Sequence, residues 1–207
     1  MMKPKRLAAI LIFLVFIMAA VFPRVLYRLG TFLAVAENAG TVDAVVISHS
    51  AEKAFACYRR GRCKKVVIAT QKTTRPDWQA LKSLNSEDTI RQQARRAGIR
   101  DEDLYLLHLA ADNDVQKART LKTFFAKKKI RSALFLFSFY KTRRHRFFFD
   151  RVFSGGAITA YVQPYKDDYH AAFDHWWQKT TYANYFLGEY LTMAWYVFNK
   201  LLWTSAV

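Results

Sequence analysis

The sequence predicts an α/β domain with a mainly parallel five-stranded sheet, preceded by one N-terminal transmembrane helix, and three observations point to it. From Val42 onward, short β-branched and aliphatic runs alternate with amphipathic stretches of helical period. Glycines and capping residues punctuate that alternation at Gly61, Ser86 and Gly98. Ahead of it, the sixteen positions Leu7 to Phe22 carry no charged or hydrogen-bonding side chain. Strands separated by helices in this order argue for a parallel sheet covered on both faces.

The apolar block follows a basic start, Lys3, Lys5 and Arg6. Sixteen helical residues rise about 24 Å, short of a hydrocarbon core of about 30 Å. Val25, Leu26 and Tyr27 extend the span if Arg24 snorkels. A cleaved signal peptide would end in small residues at the −3 and −1 positions, and Ile17-Met18-Ala19-Ala20 fits that pattern poorly. The expectation is an uncleaved anchor over 1–28, a connector over 29–41 and one α/β domain over 42–207. Lys3, Lys5, Arg6 and the α-amine outweigh Arg24 and Arg28, which places the N-terminus inside.

Val42 to Ser48 reads as a buried strand through Val45, Val46 and Ile47, and Ala51 to Arg60 as a short helix closed by Gly61. Lys65 to Thr70 repeats the strand pattern. Gln71 to Leu84 is irregular, with Pro76 suited to the first position of a short helix carrying Trp78, Leu81 and Leu84. Ser86, with Glu87 and Asp88 after it, starts a helix that stops at Gly98, its acidic residues lying where the helix dipole favours them. Leu104 to Leu109 is a third strand, and Asp112 to Lys128 a helix whose Val115, Ala118, Leu121 and Phe125 recur at helical spacing. Ala133 to Phe137 is the fourth strand, Thr142 to Phe153 a basic helix, and Ile158 to Val162 the fifth strand after Gly155-Gly156. Ala171 to Trp203 reads as an aromatic-rich helix. Glu189 near its middle argues against a second span and for packing on the sheet with some contact at the membrane surface.

Of 207 residues, 52% are apolar and 16% aromatic, too many for a disordered polycation. The net charge of +17 asks for an anionic neighbour: lipid head groups, nucleic acid or a phosphorylated ligand. No nucleic-acid-binding motif is present, which excludes the second. Lys127-Lys128-Lys129 with Arg131, and Arg59-Arg60-Arg62 with Lys64-Lys65, fall at helix ends, where cations suit the dipole or could meet anionic lipid or glycan. Cys57 and Cys63, the only cysteines, either bridge across a turn at Gly61 or remain reduced, partly buried thiols. They have no partners at zinc-finger spacing, so no metal site is expected.

Ligands of parallel sheets bind beyond the carboxyl ends of the strands, where the strand order reverses. That rule selects Ser48-His49-Ser50, Ala111 to Asp114, and Ser138 to Lys141. GxGxxG, GxxxxGK[ST] and GxSxG are all missing, so the usual nucleotide cradles and the serine elbow are absent and the motifs leave the cofactor unknown. Ser138, followed by a helix N-terminus with Lys141, Arg143 and Arg144, offers backbone N–H groups, a dipole and cations to one anion. Phosphate suits it. Helical spacing places Lys141 and Arg144 on one face and turns Arg143 partly away. His49 is positioned to act as a base or hydrogen-bond donor. Asp112, Asn113 and Asp114 either orient it, hold a divalent cation or cap a helix. His145, enclosed by arginines, and His170 and His175, five apart, carry no role.

Ser138-Phe139-Tyr140-Lys141-Thr142-Arg143-Arg144 resembles the serine, aromatic, His, Met and Arg run of the SanA, ElyC and YdcF group of bacterial envelope proteins. Ser138, Tyr140 and Arg144 match, while Lys141 replaces the usual His. Asn113 is retained from that group's N-T-x-E-N stretch, with Asp114, Gln116 and Lys117 at the Thr, Glu and Asn positions. Asp43-Ala44-Val45-Val46, Gly98-Ile99, Glu189 and Tyr196 also match. The glycine-rich loops after the first two strands are replaced by Ser48-His49-Ser50 and Thr70-Gln71-Lys72, where side chains fill space that glycine leaves open. The resemblance implies a Rossmann-like domain held in the bacterial inner membrane and facing the periplasm, with a part in cell-envelope or surface-polysaccharide biogenesis. Together with the anion chemistry it gives His49 and Lys141 as candidate catalytic residues. Ser48, Ser50, Asn113, Ser138, Tyr140, Lys141 and Arg144 are then candidate contacts to a phosphorylated lipid or sugar. A noncatalytic subunit of a membrane assembly with the same fold is the alternative, as is a basic domain that binds acidic polysaccharide or lipid.

Overall fold

The computed structural model describes residues 21–47, 51–71, 87–109, 114–165 and 175–203. They fall into two compact units, residues 35–166 and residues 1–34 with 167–207. The C-terminal helix therefore groups with the N-terminal helix, where the 42–207 domain span joins it to the sheet.

The larger unit is built on five parallel strands: β1 (Val42–Ile47), β2 (Cys63–Gln71), β3 (Leu104–Leu109), β4 (Ser132–Phe137) and β5 (Thr159–Pro164). Their order is β3-β2-β1-β4-β5, so the chain winds outward from β1 in one direction and then crosses to its other side. Central β1 is buried at five of its six positions, as a strand covered on both faces must be, whereas edge strand β5 alternates. Each crossover supplies a helix. Taking the N-terminal helix over 21–33 as α1, these are α2 (Ala51–Arg59), α3 (Glu87–Arg96), α4 (Asp114–Lys127) and α5 (Thr142–Val152).

Ala54 and Phe55 of α2, with Ile90 and Ala94 of α3, pack with Val45, Ile47, Val66, Ile68, Leu134 and Leu136. A second core layer is aromatic: Phe125 of α4, Phe135 of β4 and Phe149 of α5, with Phe135 and Phe149 ring centroids 4.3 Å apart. The expected parallel α/β architecture is thus present, and each described strand and helix of the sheet unit lies within a few residues of its expected place.

The helix stops follow glycine chemistry at two places. Gly61 (φ 66°) and Gly98 (φ 76°) take the left-handed conformation, and the next residue donates its N–H back five positions: Arg62 to Cys57 O and Ile99 to Ala94 O, both at 3.0 Å. Helix α4 ends the same way without glycine. Lys129 adopts φ 54° while Ile130 N–H reaches Phe125 O at 2.9 Å.

Two carboxylates fix the sheet. Asp43 accepts the N–H groups of Arg131 (2.9 Å) and Ser132 (3.2 Å) and pairs with Lys64 at 3.0 Å, joining β1 to β4 at their starts. Burial pulls its pKa upward, and those donors overcome the pull and hold it below the usual value. In the connector, Glu37 donates its backbone N–H to Val162 O at 3.0 Å and accepts Val162 N–H on its side chain at 2.7 Å, covering the sheet edge.

Cys57 and Cys63 are both free thiols, brought together by the Gly61 turn. A hydrogen bond from Cys63 lowers the pKa of Cys57, and the same bond with burial raises that of Cys63. Of the two readings open for this pair, the structure shows the reduced one.

In the smaller unit, α6 (Thr180–Trp203) meets α1 at a close approach. A Cβ on Gly30 would stand 3.0 Å from Trp176 and 3.1 Å from Phe186, so any larger residue would require those rings to give by a few tenths of an ångström. Trp176 stacks on Phe186 at 4.7 Å and donates Nε1–H to Leu26 O at 2.8 Å. This anchoring corrects the expected helix start at Ala171. His175 is left-handed (φ 61°), Trp176–Gln178 form a 3-10 turn, and α-helix begins only at Thr180. No helix among the described residues is long and apolar enough to cross a membrane. Most of the expected span, residues 1–20, lies outside the described residues, as does the Pro76 helix.

Candidate functional site

The strand order reverses between β1 and β4, and a cavity of about 170 Å³ opens there, at the carboxyl ends of the strands. Val46 and Ile47 of β1 and Phe135 to Phe137 of β4 form part of its apolar wall. Its polar wall comes from two crossovers: Asp114 and Lys117 from α4, and Ser138, Lys141, Arg144 and His145 from the turn after β4 and from α5.

The local fold explains this placement. After Ser138 the chain takes one 3-10 turn, Phe139–Lys141, closed by Lys141 N–H to Ser138 O at 2.9 Å. Thr142 then starts α5. Its hydroxyl donates to Phe139 O and accepts Val35 N–H, both at 2.7 Å, so this side chain fixes the helix start. Thr142, His145, Phe148 and Phe149 form the buried face of α5, at helical spacing.

Ser138, Lys141 and Arg144 come together as expected. Tyr140 does not line the cavity; its ring lies 5.8 Å from the Lys141 ammonium. Ser48, His49, Ser50 and Asn113 lie outside the described residues, with Asp112 and His170. Asp114 is the first residue of α4 and pairs with Arg144 and, at 3.3 Å, with Lys117. A carboxylate facing two cations is poorly placed to hold a divalent cation, so that reading of Asp114 gives way to an ion-pair role. Among the described residues no cluster of three or more potential metal ligands occurs.

The residues that sequence reasoning missed are His145 and Lys117. His145 stacks on Phe137 with ring centroids 3.8 Å apart and planes 4° apart. Burial drives its pKa down to about 3 against the pull of Asp114, and Arg144, Lys141 and Lys117 push it the same way as burial. The imidazole is therefore neutral at physiological pH. Burial alone would raise the Asp114 carboxyl, but the positive charge around it holds it below its ordinary value. With His145 neutral, that charge is supplied by Arg144 and Lys117. The signal for His145 was present: Phe148 and Phe149 follow at three and four residues, which marks one helix face as apolar.

Among the described residues, the cavity lining thus carries Lys117, Lys141 and Arg144 against one carboxylate, Asp114. An anion entering there meets excess positive charge over an apolar wall, where screening by water is weak. The basic residues near β2 behave otherwise: Arg62 donates to Ala39 O at 2.7 Å, Lys64 pairs with Asp43 at 3.0 Å and Lys65 with Asp103 at 3.9 Å. These three have structural partners, which weakens the case for a glycan or lipid contact by that cluster. No family model, curated protein or solved structure matches the chain.

Proposed function

We propose that residues 35–166 form a binding domain for a phosphorylated ligand, a sugar phosphate or lipid phosphate, in a membrane-anchored protein of the bacterial cell envelope. One observation carries the ligand class: among the described residues, three cations and one carboxylate line a cavity of about 170 Å³ where the sheet order reverses. Two of those cations, Lys117 and Arg144, already engage Asp114, which leaves Lys141 as the group best placed to meet the ligand. The uncharged run from Leu7 to Phe22 supports the anchor, and the resemblance of Ser138 to Arg144 supports the envelope role.

Lys141→Ala in the full-length protein in mild detergent is expected to weaken binding of inorganic phosphate about tenfold, or about 1.4 kcal/mol, with an unchanged thermal midpoint. Calorimetric titration checks this, and equal affinity in both proteins would exclude Lys141 from the site. The proposed topology has the N-terminus in the cytoplasm and the sheet domain in the periplasm. A C-terminal alkaline phosphatase fusion should accordingly be active, and an inactive fusion with an active cytoplasmic reporter would reverse the assignment.

A further inference from the structure

We infer that α1 and α6 together form a second contact with the membrane, with the exposed stripe of α6 lying in the acyl layer of a phospholipid bilayer; this rests on the proposed anchor. Leu187, Leu191, Trp195 and Phe198 are spaced four, four and three apart, which places them on one helix face, and they are 54%, 71%, 65% and 65% exposed. Helix α1 repeats the pattern with exposed Phe22, Val25, Leu29 and Phe32. Apolar side chains this exposed and this aligned call for a partner.

Continuity and charge identify that partner as lipid. The uncharged run Leu7 to Phe22 leads in sequence directly into α1, so the exposed face of α1 prolongs a segment already suited to hydrocarbon. Helix α6 has only two charged residues, Glu189 and Lys200. Glu189 is 7% exposed and sits two residues from Leu187, on the opposite side of the helix, while Lys200 follows the stripe in sequence. The carboxylate that argued against a second span is thus turned away from the exposed stripe. In the same unit Arg24, Arg28, Tyr27, His175 and Trp177 line an open groove. Cations and amphipathic aromatics of this kind suit phosphate head groups at the boundary. Since no described helix is long and apolar enough to cross, α6 lies in the interfacial layer.

Cysteine accessibility in the full-length chain tests this. Leu187→Cys, Leu191→Cys and Phe198→Cys are made in a Cys57→Ala, Cys63→Ala background, with Ala126→Cys on the exposed side of α4 as the water-facing reference. The proteins are reconstituted in phosphatidylcholine–phosphatidylglycerol vesicles, floated on a gradient and treated with a charged maleimide. Flotation reports the anchor. The three stripe cysteines are expected to react at least about tenfold more slowly than Cys at 126, as burial in lipid requires. Flotation with reference-rate labelling would overturn the inference and leave the anchor standing, whereas failure to float would overturn both. Protection accompanied by interchain disulfides at 191 on mild oxidation would assign the face to a second copy and also overturn it. Should the double alanine background misfold, quenching by brominated acyl chains in the otherwise unaltered protein gives the same answer. Trp195→Phe should then remove part of the quenchable fluorescence, and an unchanged quenched fraction would reject lipid contact.

Discussion

Arg144→Ala is expected to speed hydrogen exchange of the β1 and β4 amides about 100-fold, a loss of about 3 kcal/mol. Its guanidinium is 11% exposed and the Asp114 carboxylate 19%, so neither charge can turn freely into water. Removing one partner of a well-buried pair costs about 3–5 kcal/mol, and the lower end applies here because Lys117 remains at 3.3 Å and some water reaches the pair. Replacing both partners, as Arg144→Met with Asp114→Leu, should recover part of that loss, since Lys117, 19% exposed, then loses its bond to Asp114. Phosphate binding should weaken in Arg144→Ala, which removes one cation and keeps the carboxylate, and persist in the double variant, which removes the carboxylate as well and keeps Lys117 and Lys141. Amide exchange by mass spectrometry separates the stability effect from the binding effect. Unchanged exchange in Arg144→Ala would mean that the pair does not hold α4 against α5. A combined Lys141→Ala, Arg144→Ala variant, attractive from sequence, would therefore confuse ligand loss with loosening of the fold, and Lys141→Ala is the cleaner probe.

The features legible in the sequence were those set by neighbours in the chain. Val45 to Ile47 and Leu104 to Leu109 are short apolar runs and each formed a strand, the first central and buried, the second at the sheet edge and buried only at its two ends. Gly61 and Gly98 ended helices because the left-handed conformation costs glycine little. Lys129 takes the same conformation with no residue type to announce it; the reach of Ile130 N–H back to Phe125 O accompanies it. The start of α6 was misplaced because a bond across the fold, from Trp176 to Leu26, holds the preceding turn. The same limit applies to the site. Ser138, Lys141 and Arg144 share one segment and were found together, but Asp114 reaches Arg144 only through the crossing of two β-to-α connections, thirty residues apart. His145 was passed over for a different reason: the arginines that enclose it in the sequence, Arg143, Arg144 and Arg146, oppose its protonation and left it without a role. In the structure Arg144 turns to Asp114 and Arg146 to Glu37 and Asp150, leaving the imidazole inside with the phenylalanines.

Among the described residues, that burial makes His145 an acid-sensitive group of the sheet unit above about pH 4.5. Its pKa in the folded protein is about 3, below the ordinary value of 6.5, so between those limits the unfolded chain binds a proton that the native state refuses. Stability from this group is therefore complete above pH 6.5 and falls as the pH drops toward 3. The slope approaches about 1.4 kcal/mol per pH unit once the unfolded imidazole is charged, giving a loss of about 2.5 kcal/mol between pH 7 and about 4.5. Asp43 and Asp114, held below their ordinary values, add their own acid sensitivity only at lower pH, where carboxylates protonate. Asp114, Lys117, Lys141 and Arg144 surround the ring, so a proton placed there meets three cations and one anion. His145→Phe should abolish the slope in this window while preserving the stack on Phe137. His145→Gln serves if the larger ring strains the cavity. Urea unfolding followed by far-ultraviolet circular dichroism at the two pH values measures the effect, and a variant that retains the wild-type slope would place the titrating group elsewhere.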